Sequence, residues 1–168
     1  MKRLSITFSI FAIMMAFVLT ASAQTRLTGL NGTSVAIDQQ RGKVVILAVG
    51  ASWLPLTARQ VEFTNTLAKR YAGKDVVIYF VATDSQTAKS RNFASNEDLQ
   101  KFATSSKLAV PVLRDPEGAG TLKKYGIDQL PSFIVLDKNG SRAVPPYGGI
   151  DPKFDLTVTI ARTVDSLL

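Results

Sequence analysis

The stretch that decides the fold is Gly42-Lys-Val-Val-Ile-Leu-Ala-Val-Gly-Ala-Ser-Trp-Leu-Pro-Leu-Thr57. Its first half, residues 43–49, lies between two glycines and is continuously aliphatic after Lys43, which predicts a strand covered on both faces in a parallel sheet. Pro55 suits the first turn of a helix, and apolar residues continue at helical period to Tyr71. A second buried run over 76–82 then completes a right-handed βαβ unit.

Antiparallel elements are predicted on both sides of this unit. Asn31-Gly32 between short apolar flanks predicts a β-hairpin over 28–37, and Asn139-Gly140 predicts a turn between strands at 132–136 and 142–147. The other predicted elements are a helix over 96–103, a brief edge strand over 110–113, one or two helical turns over 121–125 and a closing amphipathic helix over 152–168. This order predicts a single α/β domain with a central mixed sheet between helices.

The composition excludes most catalytic classes. The 168 residues include 20 Lys and Arg against 13 Asp and Glu, for a formal net charge of +7, and they include neither cysteine nor histidine. Disulfides, thiolate nucleophiles, zinc-thiolate sites and histidine general bases are therefore excluded. The basic residues are scattered in pairs without interleaved aromatics, so no nucleic-acid partner is predicted. No cofactor and no metal site is predicted either.

The first 23 residues have the pattern of an export signal. Lys2 and Arg3 precede an uncharged run whose apolar centre, Ile6–Leu19, is followed by the small-x-small pattern Ala21-Ser22-Ala23. We predict a signal peptide over 1–23 and a mature domain over 24–168, located in the periplasm or outside the cell. The alternative is an uncleaved anchor, and only then is contact with a membrane expected.

Several segments in register resemble the thioredoxin-like superfamily, specifically its exported TlpA-like and redoxin branch. They are Gly42–Thr57, Asn65–Tyr71, Leu113–Gly118, Tyr125–Gly140 and Tyr147–Gly149. The resemblance covers about residues 27–168 and implies a thioredoxin-like three-layer α/β/α sandwich with a central mixed sheet and an N-terminal β-hairpin. It also implies a Trp-Cys-x-x-Cys redox centre at a helix N-terminus, with a cis-proline beside it.

The redox centre itself is missing from this chain. Where the family has Trp-Cys-x-x-Cys, the sequence reads Trp53-Leu54-Pro55-Leu56-Thr57. Leu54 replaces the attacking cysteine and Thr57 the resolving one, so neither thiol-disulfide exchange nor a thiol peroxidase reaction can occur. Thr57 has no histidine to activate it, and we expect its hydroxyl to satisfy a free amide in the first helical turn. No catalytic residue is predicted.

A binding surface is the prediction that replaces catalysis. Pro131 matches the family's cis-proline, where the resemblance implies that substrate backbone pairs with the preceding residue, here Leu130. The predicted apolar surface is made of six residues: Trp53, Leu54, Leu56, Leu130, Pro131 and Phe133. Such a surface suits docking of a polypeptide or an envelope protein, by strand addition or apolar contact. The alternative is that these residues only repacked after the thiols were lost. For Trp53, an equally favoured interpretation is that its side chain covers the edge of the sheet.

A carboxylate-based enzyme is the rival prediction. Four acidic residues near expected loop ends could bind a hard cation if folding brought them together: Asp84, Asp115, Glu117 and Asp137. Solvated loop carboxylates are the plainer interpretation. Asp137, Asn139 and Ser141 resemble the start of a calcium loop, but glycine stands at the twelfth position, so a turn is predicted there.

Overall fold

A computed structural model describes residues 25–151 and 153–168. The predicted signal peptide over 1–23 lies outside the described residues and stays a prediction. Within the described residues, no helix is long and apolar enough to cross a membrane.

The described chain forms seven strands and four α-helices. The strands are β1 (Arg26–Gly29), β2 (Ser34–Ala36), β3 (Val44–Gly50), β4 (Val76–Ala82), β5 (Val112–Arg114), β6 (Ser132–Leu136) and β7 (Tyr147–Gly148). The helices are α1 (Thr57–Arg70), α2 (Asn96–Ser105), α3 (Leu122–Tyr125) and α4 (Leu156–Asp165), with short 3-10 turns at Ile37–Gln39 and Pro116–Gly118. These elements confirm the predicted α/β class.

One mixed sheet organises the domain in the order β2-β1-β5-β4-β3-β6-β7. Strands β3, β4 and β5 are parallel, and the other pairings are antiparallel. All seven residues of β3 are buried, as its continuous apolar run predicted. Helices α1, α2 and α4 pack on one face of the sheet, and α3 with the turn at Ile37 packs on the other.

Strand β5 corrects one prediction. The segment 110–113 was expected at a sheet edge because Pro111 lacks an amide hydrogen. The strand instead lies inside the sheet, between β1 and β4, because the N-terminal hairpin covers its outer side. Pro111 precedes the strand and only accepts, taking a hydrogen bond from the amide of Phe80 at 3.0 Å.

Two further boundaries differ from the prediction for local reasons. Helix α1 begins at Thr57 rather than at Pro55, because a tight turn precedes it, with the Thr57 amide donating to the Leu54 carbonyl. The predicted returning strand over 142–147 is reduced to a bridge at Arg142 and the short β7. Prolines 145 and 146 cannot donate to a ladder and interrupt it.

Asp38 fastens the start of the domain to the α3 side. Its carboxylate accepts hydrogen bonds from the Thr25 amide at 2.7 Å, the Lys124 ammonium at 2.6 Å and the Tyr125 hydroxyl at 3.0 Å. Burial by itself raises the pKa of Asp38, but these hydrogen bonds outweigh it and hold the pKa below its ordinary value.

Candidate functional site

The segment Trp53–Thr57, which replaces the family's redox motif, lies at the edge of the sheet where β3 and β4 end and β6 begins. Gly50 at the end of β3 is level with Ala82 at the end of β4, and β6 begins beside them, since Ser132 pairs with Val49. The N-terminus of α1 points to the same edge of the sheet. In open α/β sheets, the carboxyl ends of parallel strands are where ligands usually bind.

The two cysteine positions are filled in different ways. Leu54 is half-buried, whereas Thr57 is only 1% exposed. The Thr57 hydroxyl donates to the Ala51 carbonyl at 2.6 Å instead of accepting from a helix amide, which corrects the expectation for this residue. A buried hydroxyl that donates its hydrogen to a carbonyl, with no base beside it, is not a nucleophile.

The remaining predicted surface residues divide into exposed and buried groups. Trp53 is 53% exposed, and Leu56 and Leu130 are half-buried against the two sides of the core. Phe133 is fully buried in the core, which corrects its place in the predicted surface, because its side chain points into the sheet packing. Pro131 is buried as well, so we define the Pro131 surface as the four residues around it: Trp53, Leu54, Leu56 and Leu130.

The backbone before Pro131 is open. The Leu130–Pro131 peptide bond is cis. Within residues 25–151 and 153–168, neither the amide nor the carbonyl of Leu130 takes part in a hydrogen bond. Buried or half-buried backbone groups are nearly always paired in folded proteins, so an unpaired donor and acceptor at the same residue are available to an incoming strand.

Gln60 braces this region from below. It is fully buried, and its amide nitrogen donates to the carbonyls of Val49 and Ser132, both at 3.0 Å. Its amide oxygen has no hydrogen-bond partner among the described residues and packs where a Cβ on Gly50 would lie, 2.3 Å away. Gln60 was not predicted as a site residue, although it shares the buried face of α1 with Val61.

A second buried polar group holds the motif in place. The Asp84 carboxylate, fully buried after β4, accepts from the Ser52 amide at 3.0 Å and from the Ser52 hydroxyl at 2.6 Å. Arg114, 3% exposed, donates to the carbonyls of Asp84 and Ala94 at 3.3 Å and 2.9 Å. Burial lowers the pKa of the Arg114 guanidinium, while Asp84 and Glu117 oppose that change.

The four acidic residues of the rival prediction do not form a joint site. Asp115 accepts from the Gly120 amide and the Thr121 hydroxyl, and Asp137 accepts from amides of its own turn. The Asp84 carboxylate accepts from the Ser52 hydroxyl, and Glu117 is exposed in the turn after β5. In the part of the chain that the structure describes, no group of three or more acidic, cysteine or histidine residues could hold a metal ion.

Comparisons with known proteins agree with this geometry. The thiol-disulfide oxidoreductase ResA of Bacillus thuringiensis subsp. konkukian is 29% identical over 114 residues, which is 68% of this chain and 60% of that relative. The thioredoxin-like protein YneN of Bacillus subtilis is 25% identical over the same share of this chain and 62% of its own length. The match therefore spans less than two thirds of these curated relatives.

Solved structures show the same fold. The exposed lipoprotein thioredoxin Etrx1 of Streptococcus pneumoniae is 28% identical with a TM-score of 0.66, covering 86% of this chain and all of that one. A thiol:disulfide interchange protein DsbE from Chlorobium tepidum, at 22% identity and a TM-score of 0.70, covers 86% of this chain and 92% of its own. The family model described as Redoxin matches residues 16–143. The chain thus belongs to the Redoxin family, has a thioredoxin-like fold related to thiol-disulfide oxidoreductases, and has Leu54 and Thr57 where that chemistry needs cysteines.

Proposed function

We propose that this protein is an exported, non-catalytic member of its family that binds a polypeptide or envelope protein through the Pro131 surface, as an adaptor or chaperone-like protein. The observation that carries the proposal is the unpaired amide and carbonyl of Leu130 beside the cis peptide bond. Strand addition uses such backbone groups for affinity and the neighbouring side chains for specificity.

The side chains around Leu130 fit this use. Leu54 presents an apolar side chain where an attacking thiol would stand, and the exposed Trp53 offers a large amphipathic contact. Aromatic residues at the centre of small apolar surfaces are typical anchors of protein interfaces. Binding without reaction is the activity that these residues can support.

Export is part of the proposal. The signal pattern over 1–23 is its basis, and one neighbour in structure is named an exposed lipoprotein. Fractionation followed by N-terminal sequencing tests it. A mature protein that begins at Gln24 outside the cytoplasm is expected, and a cytoplasmic protein that keeps Met1 would contradict export.

The binding proposal is tested by site-specific photocrosslinking in the native envelope. A photoreactive amino acid at Trp53 is expected to capture a defined polypeptide, and Leu54→Asp or Leu130→Asp is expected to abolish capture. A photoreactive group in place of Phe154, which is exposed at the start of the α4 region, is the matched control. Capture that is unchanged in both aspartate variants, with the fold confirmed by circular dichroism, would refute the use of this surface.

A gain-of-function variant tests whether the surface kept its geometry. Leu54→Cys combined with Thr57→Cys restores the residue types that thiol-disulfide exchange requires. Reductase activity in this variant is the expected result, because Leu54 and Thr57 lie at the N-terminal end of α1, where the resemblance places the two cysteines. A folded but inert double variant would argue that the surface was remodelled.

A further inference from the structure

Phe93 is an exposed aromatic residue that the proposed function leaves unexplained. Its side chain is 43% exposed, on the loop over 85–94 that joins β4 to α2. The loop is ordered by its own backbone, since the Ser85 amide donates to the Asn92 carbonyl at 2.8 Å and the Ala94 amide donates to Ser85 at 3.1 Å. Phe93 is therefore fixed on the surface by local structure.

Arg114 closes this loop at both ends. Its guanidinium donates to the carbonyl of Ser85 at 3.4 Å on one side and of Ala94 at 2.9 Å on the other. A third contact reaches the side-chain oxygen of Asn96 at 3.2 Å. The two terminal nitrogens of the guanidinium make these bonds, whereas its Nε has no partner among the described residues. Burial of a guanidinium is costly, and here its hydrogen bonds go to the two ends of an exposed loop.

Asp84 connects the loop to the Pro131 surface. Its carboxylate holds the amide and hydroxyl of Ser52, the residue before Trp53, and its carbonyl accepts from Arg114. The two exposed aromatic residues, Trp53 and Phe93, thus stand on neighbouring loops that one buried residue ties together. Exposed aromatic side chains are enriched at protein interfaces, and tryptophan is among the residues that contribute most to binding energy there.

The charge of the loop over 85–94 indicates the charge of the segment that it binds. Lys89 and Arg91 are exposed, and residues 85–94 include no acidic residue. Of the acidic residues that adjoin the loop, Asp84 is buried and accepts from Ser52, whereas Glu97 and Asp98 are exposed in the first turn of α2. The Asp98 carboxylate there accepts from the Ser95 amide and hydroxyl. The loop therefore presents positive charge beside an aromatic ring, which attracts acidic segments and repels basic ones.

We propose that the loop over 85–94 is the second half of the binding surface, and that its occupant is an extended polypeptide segment with a large apolar side chain flanked by acidic residues. The inference rests on the proposed function, because it extends the Pro131 surface rather than replacing it. Phe93 contacts the apolar side chain, Lys89 and Arg91 contact the acidic flanks, and Leu130 pairs with the backbone.

The test uses labelled, N-acetylated peptides and the purified protein, with binding measured by fluorescence anisotropy. One peptide has a central phenylalanine flanked by aspartates, the second has lysines in place of the aspartates, and the third has serine in place of the phenylalanine. The acidic phenylalanine peptide is expected to bind about tenfold more tightly than either other peptide, and less tightly as salt rises. Equal binding of the acidic and basic peptides would overturn the charge assignment.

The variants separate this inference from the proposed function. Phe93→Ser is expected to weaken binding of the acidic peptide by about tenfold. Lys89→Glu combined with Arg91→Glu is expected to reverse the preference toward the basic peptide. Phe154→Ser and Lys153→Glu, two exposed residues near α4, are the matched controls and are expected to change nothing.

Each remaining outcome decides between the two ideas. Binding that is lost in Leu130→Asp but unchanged in Phe93→Ser refutes the role of the loop and leaves the proposed function intact. No binding of the acidic peptide to the unmodified protein refutes the assigned occupant, while photocrosslinking at Trp53 still judges the proposed function. Binding that survives both Leu130→Asp and Phe93→Ser refutes both.

Discussion

Replacing the buried Gln60 amide by a carboxyl group gives the sharpest test of the architecture below the Pro131 surface. Gln60→Glu keeps the shape of the side chain but places an acidic group against the carbonyls of Val49 and Ser132, to which Gln60 now donates. An ionised carboxylate cannot donate to these two oxygens. The fully buried position also lacks a cation to pair with it among the contacts of Gln60.

The magnitude of the effect follows from burial. Full burial raises the pKa of a carboxyl by about 3 units from its unfolded value of about 4.3. Each unit is worth about 1.4 kcal/mol, so the Gln60→Glu variant is expected to lose about 4 kcal/mol more unfolding free energy at pH 8 than it loses with the carboxyl protonated. At pH 4 the protonated group still donates one hydrogen bond, and the loss is about 1 kcal/mol.

The direction with pH is the decisive feature. Because the folded-state pKa of the introduced group is raised, the variant is closest to the unmodified protein below about pH 4 and loses stability as pH rises toward the folded-state pKa. Urea unfolding of both proteins at pH 4 and pH 8, followed by far-ultraviolet circular dichroism, measures the difference. Gln60→Met is the control, with a loss independent of pH. A pH-independent loss in Gln60→Glu, or none at pH 8, would refute the assigned contacts.

Three further predictions address other buried contacts. Asp38→Asn is expected to lower the free energy of unfolding by about 1–2 kcal/mol at neutral pH and progressively less below about pH 4, because the Asp38 carboxyl, whose pKa is lowered, stabilises the fold only while it is ionised. Melting temperatures of both proteins across this range measure the effect, and a difference that does not change with pH would contradict it. Gly50→Ala is expected to cost about 1–3 kcal/mol, since the new Cβ would lie 2.3 Å from the Gln60 amide oxygen, and less in a Gln60→Ala background; additive losses in urea unfolding would contradict the contact. Arg114→Met is expected to speed amide hydrogen exchange over 85–94 more than in the core strands, and uniform acceleration would count against its loop-closing role.

The central strands of the sheet could be predicted from the sequence because a strand buried on both faces is a continuous apolar run. The run over 76–82 became β4 at the predicted bounds, and the Asn31-Gly32 turn joins β1 to β2 as predicted. Strand β5 was misjudged because its neighbours depend on where the distant hairpin docks, which a local pattern does not contain. Helix α1 begins at Thr57 rather than at Pro55 because the residues from Leu54 to Thr57 form a tight turn.

The candidate site was less predictable than the fold. Replacement of both cysteines was directly predictable from the sequence, and the structure shows that Trp53 is exposed. The roles of Trp53 and Leu130 in binding stay predictions. Phe133 was wrongly predicted to lie on the surface. All five residues of β6 are buried, so its sequence pattern does not show which face of the strand each side chain occupies. The partners of Gln60 and Arg114 come from segments far apart along the chain, so only the folded structure reveals their contacts.

The buried polar groups help to decide between two explanations of the Pro131 surface: a surface kept for binding, and one that only repacked after the thiols were lost. Replacing buried charged or polar groups by apolar residues of similar size is often neutral or stabilising, so a site under no constraint but stability can lose them. This edge of the sheet holds a buried glutamine with an unpaired oxygen, a buried guanidinium and a buried carboxylate, at Gln60, Arg114 and Asp84. Their hydrogen bonds fix the loops that carry Trp53 and Phe93 while leaving the Leu130 backbone unpaired. Repacking alone gives no reason to keep these buried hydrogen bonds beside an unpaired backbone edge, whereas the proposed binding of an extended polypeptide uses both.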